Sequence, residues 1–359
     1  MVNLQKIDHS ESPVGLDLPK LRSHLAQNGM TLDASFVPQR FAAGFGNMNF
    51  LVEVDGAPMV LRRPPLGPIP PGANDMAREY RILSHLHDAY PLVPCAHLFC
   101  DDTDVIGAPF FLMEYRPGLV IGAAIPLEVK NAWNSDIPIG QLLGANMINV
   151  LAGLHAVDPT ACGLETLGKP DGFLERTLRG WTKRAELSWA GDPAGELQAV
   201  LDWLASNRPA ETKKPTLIHN DFKLDNIILD PETLEARTLI DWDMGTIGDP
   251  RFDLAILLSY WSEASDPAAM HDLKQMPTAC HGFPTREEAA QYYARASDCD
   301  LNDFTFYRVL ATLRIAVVFQ QLYRRYQSGG TNDPKFAKFN DLALGLLDFA
   351  FQISRGKYF

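Results

Sequence analysis

The sequence predicts an α+β fold with two lobes: a small N-terminal sheet lobe with one helix and a larger, mainly helical C-terminal lobe. Three observations favour this fold. The chain has 359 residues, which is too many for a single small hydrophobic core. Strand patterns dominate up to about residue 115. After residue 115, apolar residues recur at helical spacing. We therefore expect an N-terminal lobe at 1–115 and a C-terminal lobe at 116–359.

The composition excludes several classes of protein. Apolar residues make up 46% and charged residues 21%, as in ordinary globular proteins. The net charge of -12 argues against general binding to nucleic acid or to an anionic membrane, because both need a basic face. The 5 cysteines are odd in number and contain no C-x-x-C pair, so we expect free thiols. No signal peptide or apolar membrane span is visible, which favours a cytoplasmic protein.

A hairpin is predicted in the first lobe, after a lead-in helix at Leu18–Asn28. Its strands read FLVEV and MVLRR and are joined by a tight Asp-Gly turn. The loop before the hairpin contains Gly44, Gly46 and Asn47. Glycines there let backbone amides approach a nucleotide phosphate, so these three residues are candidate nucleotide ligands. A turn or bulge glycine is the alternative explanation.

Strand and helix periodicity place a charged pair inside the first lobe. In the strand MVLRR, Arg62 shares a face with Val60. The helix predicted at about Asp75–His87 places Glu79 on its buried stripe. A buried glutamate requires a cation, and Arg62 is the expected partner. A purely structural salt bridge, or pairing through the neighbouring Arg63, are the alternatives.

A basic stripe is predicted on a helix of the second lobe, at residues 173–190. It consists of Arg176, Arg179, Lys183 and Arg184, spaced so that they share one helix face. A solvated outer face is one explanation. A dock for substrate phosphates, such as those of coenzyme A, is the other.

The segment LIHNDFKLDNIILDPETLEARTLIDWD carries the strongest pattern in the chain. Two short strands on either side of an Asp-Pro turn predict a hairpin that brings Asn226 opposite Asp241. Oxygen ligands that meet at one point suit Mg²⁺. Asp221 lies on the approach to this hairpin and is free to act as a base. Solvated turn residues are the alternative for each residue taken alone.

His219, Asp221, Asn226 and Asp241 have the spacing of a kinase catalytic loop followed by a metal-binding aspartate. With the later Gly-Asp-Pro and Asp-Leu-Ala motifs, they resemble the aminoglycoside phosphotransferase family, which has a two-lobed protein-kinase-like fold. The resemblance implies that Asp221 is the catalytic base and that Asn226 and Asp241 hold Mg²⁺. It also implies that Lys223 reaches the phosphoryl group transferred from ATP.

The proline-rich stretch RPPLGPIPPGAND and the later VIGAPFFLMEYRPG resemble one branch of that family most closely. This branch is related to the kinase-like domains fused to acyl-CoA dehydrogenases. In a two-lobed kinase the apolar strand Phe110–Tyr115 would lead into the hinge, where the backbone of Glu114 and Arg116 would bond the adenine ring. A buried strand followed by a turn is the alternative.

The resemblance implies ATP- and Mg²⁺-dependent phosphorylation of a hydroxyl group on a small molecule, with a hydroxyacyl-CoA or related metabolite implied by the closer branch. Seven residues separate Asp241 from Asp249, which leaves no room for the long activation loop of a protein kinase. Asp253 is implied to bond backbone amides of the catalytic loop. The alternatives are an aminoglycoside, choline or sugar-type kinase, and a nucleotide-binding pseudokinase with a regulatory role.

Overall fold

The computed structural model describes residues 7–8, 15–41, 46–67, 74–191, 195–331 and 333–359. Its strands are β1 (Ile7–Asp8), β2 (Gln39–Phe41), β3 (Met48–Val54), β4 (Ala57–Arg63), β5 (Ala96–Cys100), β6 (Phe110–Glu114), β7 (Thr216–Ile218), β8 (Ile227–Leu229), β9 (Ala236–Leu239) and β10 (Thr246–Gly248). Its helices are α1 (Leu18–Gln27), α2 (Met76–Leu86), α3 (Thr103–Ile106), α4 (Leu127–Ala132), α5 (Ile139–His155), α6 (Phe173–Ser188), α7 (Gly195–Ser206), α8 (Pro250–Tyr260), α9 (Ala268–Leu273), α10 (Arg286–Ser297), α11 (Phe304–Gln327) and α12 (Phe339–Ser354).

Backbone contacts divide the chain into two compact units. The first unit comprises residues 1–120, 160–167 and 226–245. The second comprises residues 121–159, 168–225 and 246–359. The expected lobe boundary between residues 115 and 116 stays a prediction.

The first unit is built on an antiparallel sheet with the strand order β1-β2-β3-β4-β6-β5. β3 and β4 form the predicted hairpin, and Asp55 and Gly56 at its turn have φ of 53° and 76°, as a tight hairpin turn requires. α1 buries Leu21 and Leu25 against apolar residues of the sheet such as Phe50. The predicted lead-in helix is therefore part of the core of this unit.

α2 begins and ends within one residue of its predicted bounds. The Asp75 side chain accepts a hydrogen bond from the backbone N–H of Arg78 and caps the helix. Met76, Glu79 and Leu83 are all buried, as the helical spacing predicts. The apolar stripe of α2 thus carries one carboxylate into the interior.

The second unit is mainly helical and is organised around α11, which contacts α12, α8 and α6. α8 is buried from Phe252 to Ser259, so it is apolar on nearly all sides. The short strands β7 and β10 pair antiparallel with Ile218 opposite Thr246. The sequence pattern did not predict this ladder, since three-residue strands give little periodicity.

The predicted α+β class is confirmed, because an antiparallel sheet unit is followed along the chain by a helical unit. Within the ranges given above, no helix is long and apolar enough to cross a bilayer.

Candidate active site

The first cluster of predicted site residues lies within the first unit and centres on Arg62. Nε of Arg62, on β4, lies 2.8 Å from Oε2 of Glu79 on α2. Nη2 of Arg62 lies 2.5 Å from Oδ1 of Asp241, two residues after β9. Oε1 of Glu79 accepts a 3.2 Å hydrogen bond from the backbone N–H of Trp242. The predicted pairing of Arg62 with Glu79 is confirmed, and it continues to one of the predicted metal ligands.

Arg63 has a different set of partners. Its guanidinium group donates to the carbonyl oxygens of Gly15, Pro64 and Ile106, the last at 2.9 Å. Successive side chains of a strand point to opposite faces, so the two arginines serve opposite sides of β4. This excludes Arg63 as the partner of Glu79.

Negative charge exceeds positive charge around Arg62. Burial alone would lower the pKa of Arg62, but the carboxylates of Glu79 and Asp241 raise it well above its ordinary value. Burial raises the pKa of Glu79, Arg62 opposes the rise, and Asp241 and Asp243 add to it. Burial and the charge of Asp241 also raise the pKa of Asp243. Two carboxylates therefore contact one guanidinium and a third acts on the same cluster at longer range, so the cluster suits an additional cation.

Asn226 and Asp241 flank the predicted hairpin, but the register differs by one residue from the prediction. β8 and β9 pair antiparallel with Ile227 opposite Leu239. The N–H of Ile240 donates to the carbonyl of Asn226 at 2.9 Å, so Asn226 pairs with Ile240 and not with Asp241. The ladder also shifts register between Ile228 and Leu229, and Asp241, with φ of 68°, lies in a left-handed conformation beyond the extended strand.

The donor set of Asn226 and Asp241 could hold Mg²⁺. Asn226 is buried, whereas the side chain of Asp241 is 43% exposed. Protein Mg²⁺ sites commonly use one or two carboxylates and complete the coordination with substrate phosphates and water. Among the residues that the structure describes, no group of three or more His, Cys, Asp or Glu side chains is arranged to hold a metal. A site completed by phosphate oxygens needs no such group.

The predicted nucleotide loop is only partly described, and Gly44 lies outside the described residues. Oδ1 of Asn47 accepts a 2.8 Å hydrogen bond from Asn74. A Cβ added to Gly46 would lie 3.9 Å from Asn74, an ordinary contact, so packing against the described residues does not require glycine there. Asn49, which stands where kinase loops carry a third glycine, accepts a 3.2 Å hydrogen bond from Nη1 of Arg62.

The predicted hinge residues follow β6. The N–H of Glu114 donates to the carbonyl of Cys95 at 2.8 Å, so a backbone contact of Glu114 with adenine would have to use its carbonyl oxygen. The Glu114 carboxylate lies 2.9 Å from Nη2 of Arg116. Nη1 of Arg116 donates to the carbonyl of Pro91 at 2.6 Å. The two side chains thus brace the segment after β6.

The second cluster lies within the second unit, on the loop after β7. The carboxylate of Asp253 is fully buried at the start of α8 and accepts hydrogen bonds from the backbone N–H groups of His219 and Asn220, both at 2.7 Å. Asn220 has φ of 63°, a left-handed conformation that these bonds help to hold. The architectural role expected of Asp253 is confirmed.

Asp221, the predicted base, lies among cationic and hydroxyl groups of the second unit. The hydroxyl of Tyr260 donates a 2.9 Å hydrogen bond to Oδ1 of Asp221. Nη2 of Arg314 lies 3.5 Å from Oδ1, and Nζ of Lys223 lies 3.6 Å from Oδ2. Burial alone would raise the pKa of Asp221, but Lys223, Arg314, His219 and Tyr260 together lower it below its ordinary value. The carboxylate is therefore ionised at neutral pH.

The motifs that organise both clusters lie inside a stretch matched by a known family profile. Residues 38–292 match the profile of the phosphotransferase enzyme family. The chain belongs to this family. The aminoglycoside phosphotransferase resemblance drawn from His219, Asp221, Asn226 and Asp241 is thereby confirmed.

Two relatives place this family member near the expected branch. The chain is 30% identical to mouse acyl-CoA dehydrogenase family member 10 over 295 residues, which cover 81% of this chain and 26% of the relative. It is 28% identical to human acyl-CoA dehydrogenase family member 11 over 341 residues, covering 93% of this chain and 42% of the relative. The chain thus spans less than half the length of these curated relatives.

Solved structures support the two-lobed kinase-like fold. An aminoglycoside phosphotransferase-like protein of Ralstonia eutropha has a TM-score of 0.76 at 23% identity, with 95% of this chain and 98% of that chain covered. A thermostable mutant of an aminoglycoside phosphotransferase, in ternary complex with AMP-PNP and hygromycin B, has a TM-score of 0.60 at 15% identity, with 93% and 98% covered. At these identities the similarity concerns the fold.

Sequence reasoning missed two residues that contact Asp221 in this phosphotransferase family member. Tyr260 closes the apolar run of α8 and gave no distinct signal. Arg314 had one, because it is a lone charge in the apolar stretch TLRIAVVF of α11. An arginine there is expected to have a specific partner.

The basic stripe lies on α6 as predicted, but its members differ in their contacts. Arg176 donates to the backbone carbonyls of Lys169 and Asp171. The Arg184 guanidinium stacks on the Trp181 ring, 4.6 Å from its centroid. Arg179 and Lys183 line an open surface groove of about 540 Å³, together with Glu175, Leu178, Thr182, Glu186 and Arg208.

Proposed function

We propose that this family member transfers the γ-phosphoryl group of ATP to a hydroxyl group of a small molecule in a Mg²⁺-dependent reaction. The observation that carries the proposal is the environment of Asp221. The resemblance of the loop that contains His219 and Asn226 supports Asp221 as the base, and the charges of Lys223 and Arg314 favour its ionised form. A carboxylate kept ionised in this way can accept the proton of an acceptor hydroxyl.

The proposed reaction consists of one proton transfer and one phosphoryl transfer. The acceptor O–H bond breaks and its proton passes to Asp221 while the acceptor oxygen bonds to the γ-phosphorus. The bond from the γ-phosphorus to the bridging oxygen breaks, and ADP leaves. Catalysis of this kind depends mainly on positioning and electrostatics. Lys223, whose Nζ lies 3.6 Å from Oδ2 of Asp221, would offset charge on the transferred group.

The nucleotide phosphates and Mg²⁺ are assigned to the first cluster. Bound Mg²⁺ would offset the negative charge of the phosphate oxygens during transfer. Asn226 and Asp241 are the residues that would hold it, and Arg62 orients Asp241 through their 2.5 Å contact. Arg62 presents a planar fork where kinases carry lysine, and Glu79 fixes the orientation of that fork.

The acceptor class is proposed from the relatives. The chain is similar to parts of two acyl-CoA dehydrogenase family members, which supports a hydroxyacyl-CoA or a related hydroxylated metabolite as acceptor. Arg179 and Lys183 are exposed in the α6 groove and are available to a coenzyme A phosphate. In a protein of net charge -12, an anionic substrate needs such a local basic surface.

A transfer screen tests the function. The wild-type protein is incubated with ATP, Mg²⁺ and either hydroxyacyl-CoAs, aminoglycosides or amino alcohols, and phosphorylated product is measured by mass spectrometry. We expect product with a hydroxyacyl-CoA. Nucleotide binding with no product from any acceptor would instead favour a regulatory pseudokinase.

A pair of charge-reversal variants tests the dock. Arg179→Glu combined with Lys183→Glu should raise the KM for an acyl-CoA acceptor about tenfold or more at low salt, because two attractive charges become repulsive. Lys213→Glu combined with Lys214→Glu makes the same change in net charge at exposed positions outside the groove and should leave the KM unchanged. Equal changes in KM from both pairs would show that the groove is not the binding site for the acyl-CoA phosphates.

A further inference from the structure

Two donors from different helices approach the same carboxylate oxygen of Asp221. The Tyr260 hydroxyl donates to Oδ1 at 2.9 Å, and Nη2 of Arg314 lies 3.5 Å from Oδ1. The same Nη2 donates to the backbone carbonyl of Asn220 at 2.9 Å. Arg314 therefore contacts both the side chain of the base and the peptide that precedes it.

Arg314 differs in its partners from Arg286, another buried arginine of the second unit. Arg286 is bound by two carboxylates, Asp266 and Glu263, and is a structural ion pair. Among the residues that the structure describes, Asp221 is the one carboxylate within salt-bridge distance of Arg314. Nε and Nη1 of Arg314 make no hydrogen bond there, and the guanidinium lies 5.7 Å from the centroid of the Trp181 ring. The guanidinium charge of Arg314 is therefore directed at Asp221 and at the peptide before it.

The hydroxyl of Tyr260 keeps its proton and therefore stays a hydrogen-bond donor to Asp221. Burial and the charge of Asp221 raise the pKa of its hydroxyl above the ordinary value, so the proton stays on Tyr260. Its ring is also covered by Lys223, whose Nζ lies 5.6 Å from the ring centroid. The ring therefore has a cation over one face while its hydroxyl donates to Oδ1.

We propose that Tyr260 and Arg314 are positioning residues that hold Oδ1 of Asp221 and thereby assign proton transfer to Oδ2, the oxygen that faces Lys223. A carboxylate that can rotate about its Cβ–Cγ bond presents either oxygen to the acceptor. Two partners on one oxygen fix this rotation before the reaction begins. The carboxylate then loses no rotational freedom in the transition state. This proposal rests on the proposed function, because Asp221 must be the base.

A purely structural role makes a different prediction. If Arg314 only braced the Asn220 carbonyl and Tyr260 only filled space, their loss would lower stability without changing how Asp221 titrates. Lys223, Arg314, His219 and Tyr260 all lower the pKa of Asp221, so removing one hydrogen bond or one positive charge should be visible in its titration.

The first experiment follows the Asp221 carboxyl by ¹³C NMR in the full chain labelled at aspartate, with the Asp221 signal assigned from Asp221→Asn. Tyr260→Phe and Arg314→Met should each raise the pKa of Asp221 by roughly 1. Arg314→Lys should restore part of the shift. The matched controls Tyr307→Phe, which removes a buried hydroxyl bonded to Asp249 at 2.8 Å, and Arg286→Lys should leave Asp221 unchanged.

The second experiment measures transfer to whichever acceptor the screen identifies. Tyr260→Phe should lower kcat between about tenfold and a hundredfold while KM changes little, because orientation of the base matters only during reaction. The acid limb of its pH profile should move to higher pH. An unchanged Asp221 titration in Tyr260→Phe, or a rise in KM at constant kcat, would overturn the proposal. Absence of transfer by the wild-type protein would contradict the proposed function instead. The Asp221 titration would still show whether Tyr260 and Arg314 hold Oδ1.

Discussion

Nη2 of Arg62 lies 2.5 Å from Oδ1 of Asp241, although 179 positions separate the two residues along the chain. The contact links a β4 side chain to the loop after β9. Arg62 also binds Glu79, so one guanidinium fixes a helix carboxylate and a predicted metal ligand together. The orientation of Asp241 therefore depends on Arg62, which is not one of the predicted metal ligands.

Removing the guanidinium should destabilise the first unit strongly. In Arg62→Met, Glu79 stays buried without its cation, and we expect a loss of about 3 kcal/mol in the free energy of unfolding. Arg116→Met is the control, because its partner Glu114 is 38% exposed and the loss should stay below about 1 kcal/mol. Urea unfolding followed by circular dichroism measures both. Equal losses would show that the buried Arg62 network contributes no more to stability than the exposed Arg116–Glu114 pair.

The assignment of Asp241 predicts a changed metal requirement. Asp241→Asn should increase the Mg²⁺ concentration that gives half-maximal transfer by about tenfold or more, because a charged ligand becomes neutral. Asp230→Asn, at the turn of the same hairpin, also removes one carboxylate and keeps an acceptor for the N–H groups of Glu232 and Thr233. Its Mg²⁺ dependence should match the wild type. A parallel change in both variants would point to net charge and not to a ligand.

Asp253 should matter for both stability and transfer. Asp253→Asn keeps one acceptor oxygen for two backbone N–H groups, so we expect a loss of about 1–3 kcal/mol in unfolding free energy. The catalytic loop should also lose its geometry, and kcat should fall at temperatures where the variant is folded. Asp266→Asn removes a buried carboxylate that binds Arg286 and should cost stability without lowering kcat. If both variants lose kcat equally, the bonds from Asp253 do not position the loop.

The pH dependence of transfer follows from the sign of the Asp221 shift. Asp221 must be a carboxylate to act as the proposed base, and its pKa lies below the ordinary 3.8 because its cationic and hydroxyl neighbours outweigh burial. The rate should therefore show no acid limb from Asp221 between pH 7 and about 5. Lys223→Met removes one of those charges, raises the pKa and should move the acid limb upward. Steady-state rates measured with a parallel fold check test this, and a wild-type limb near pH 6 would contradict it.

The sequence predicted most of the first cluster because alternation and helical spacing act over short distances. Strand parity selected Arg62 over Arg63, and the helical stripe selected Glu79. The same local rules failed by one residue at the β8–β9 hairpin. The left-handed conformation of Asp241 carries no signature in the sequence, since any Asp can adopt it in a suitable environment.

Tertiary contacts explain what the sequence could not supply. Tyr260 and Arg314 reach Asp221 from α8 and α11, at separations of 39 and 93 residues along the chain. No periodicity within either helix specifies that meeting. The roles of the two basic α6 residues Arg176 and Arg184 also depended on neighbours outside the stripe, namely backbone carbonyls and the Trp181 ring.

If Asp221 is the base of a phosphoryl transfer, its replacement should abolish transfer and leave nucleotide binding intact. ATP-dependent transfer to the best acceptor of the screen is measured for the wild type and for Asp221→Asn, with nucleotide affinity measured by calorimetry on the same samples. We predict that Asp221→Asn loses transfer by at least about a hundredfold while it binds nucleotide as the wild type does. Transfer at the wild-type rate by a folded Asp221→Asn variant would contradict the account.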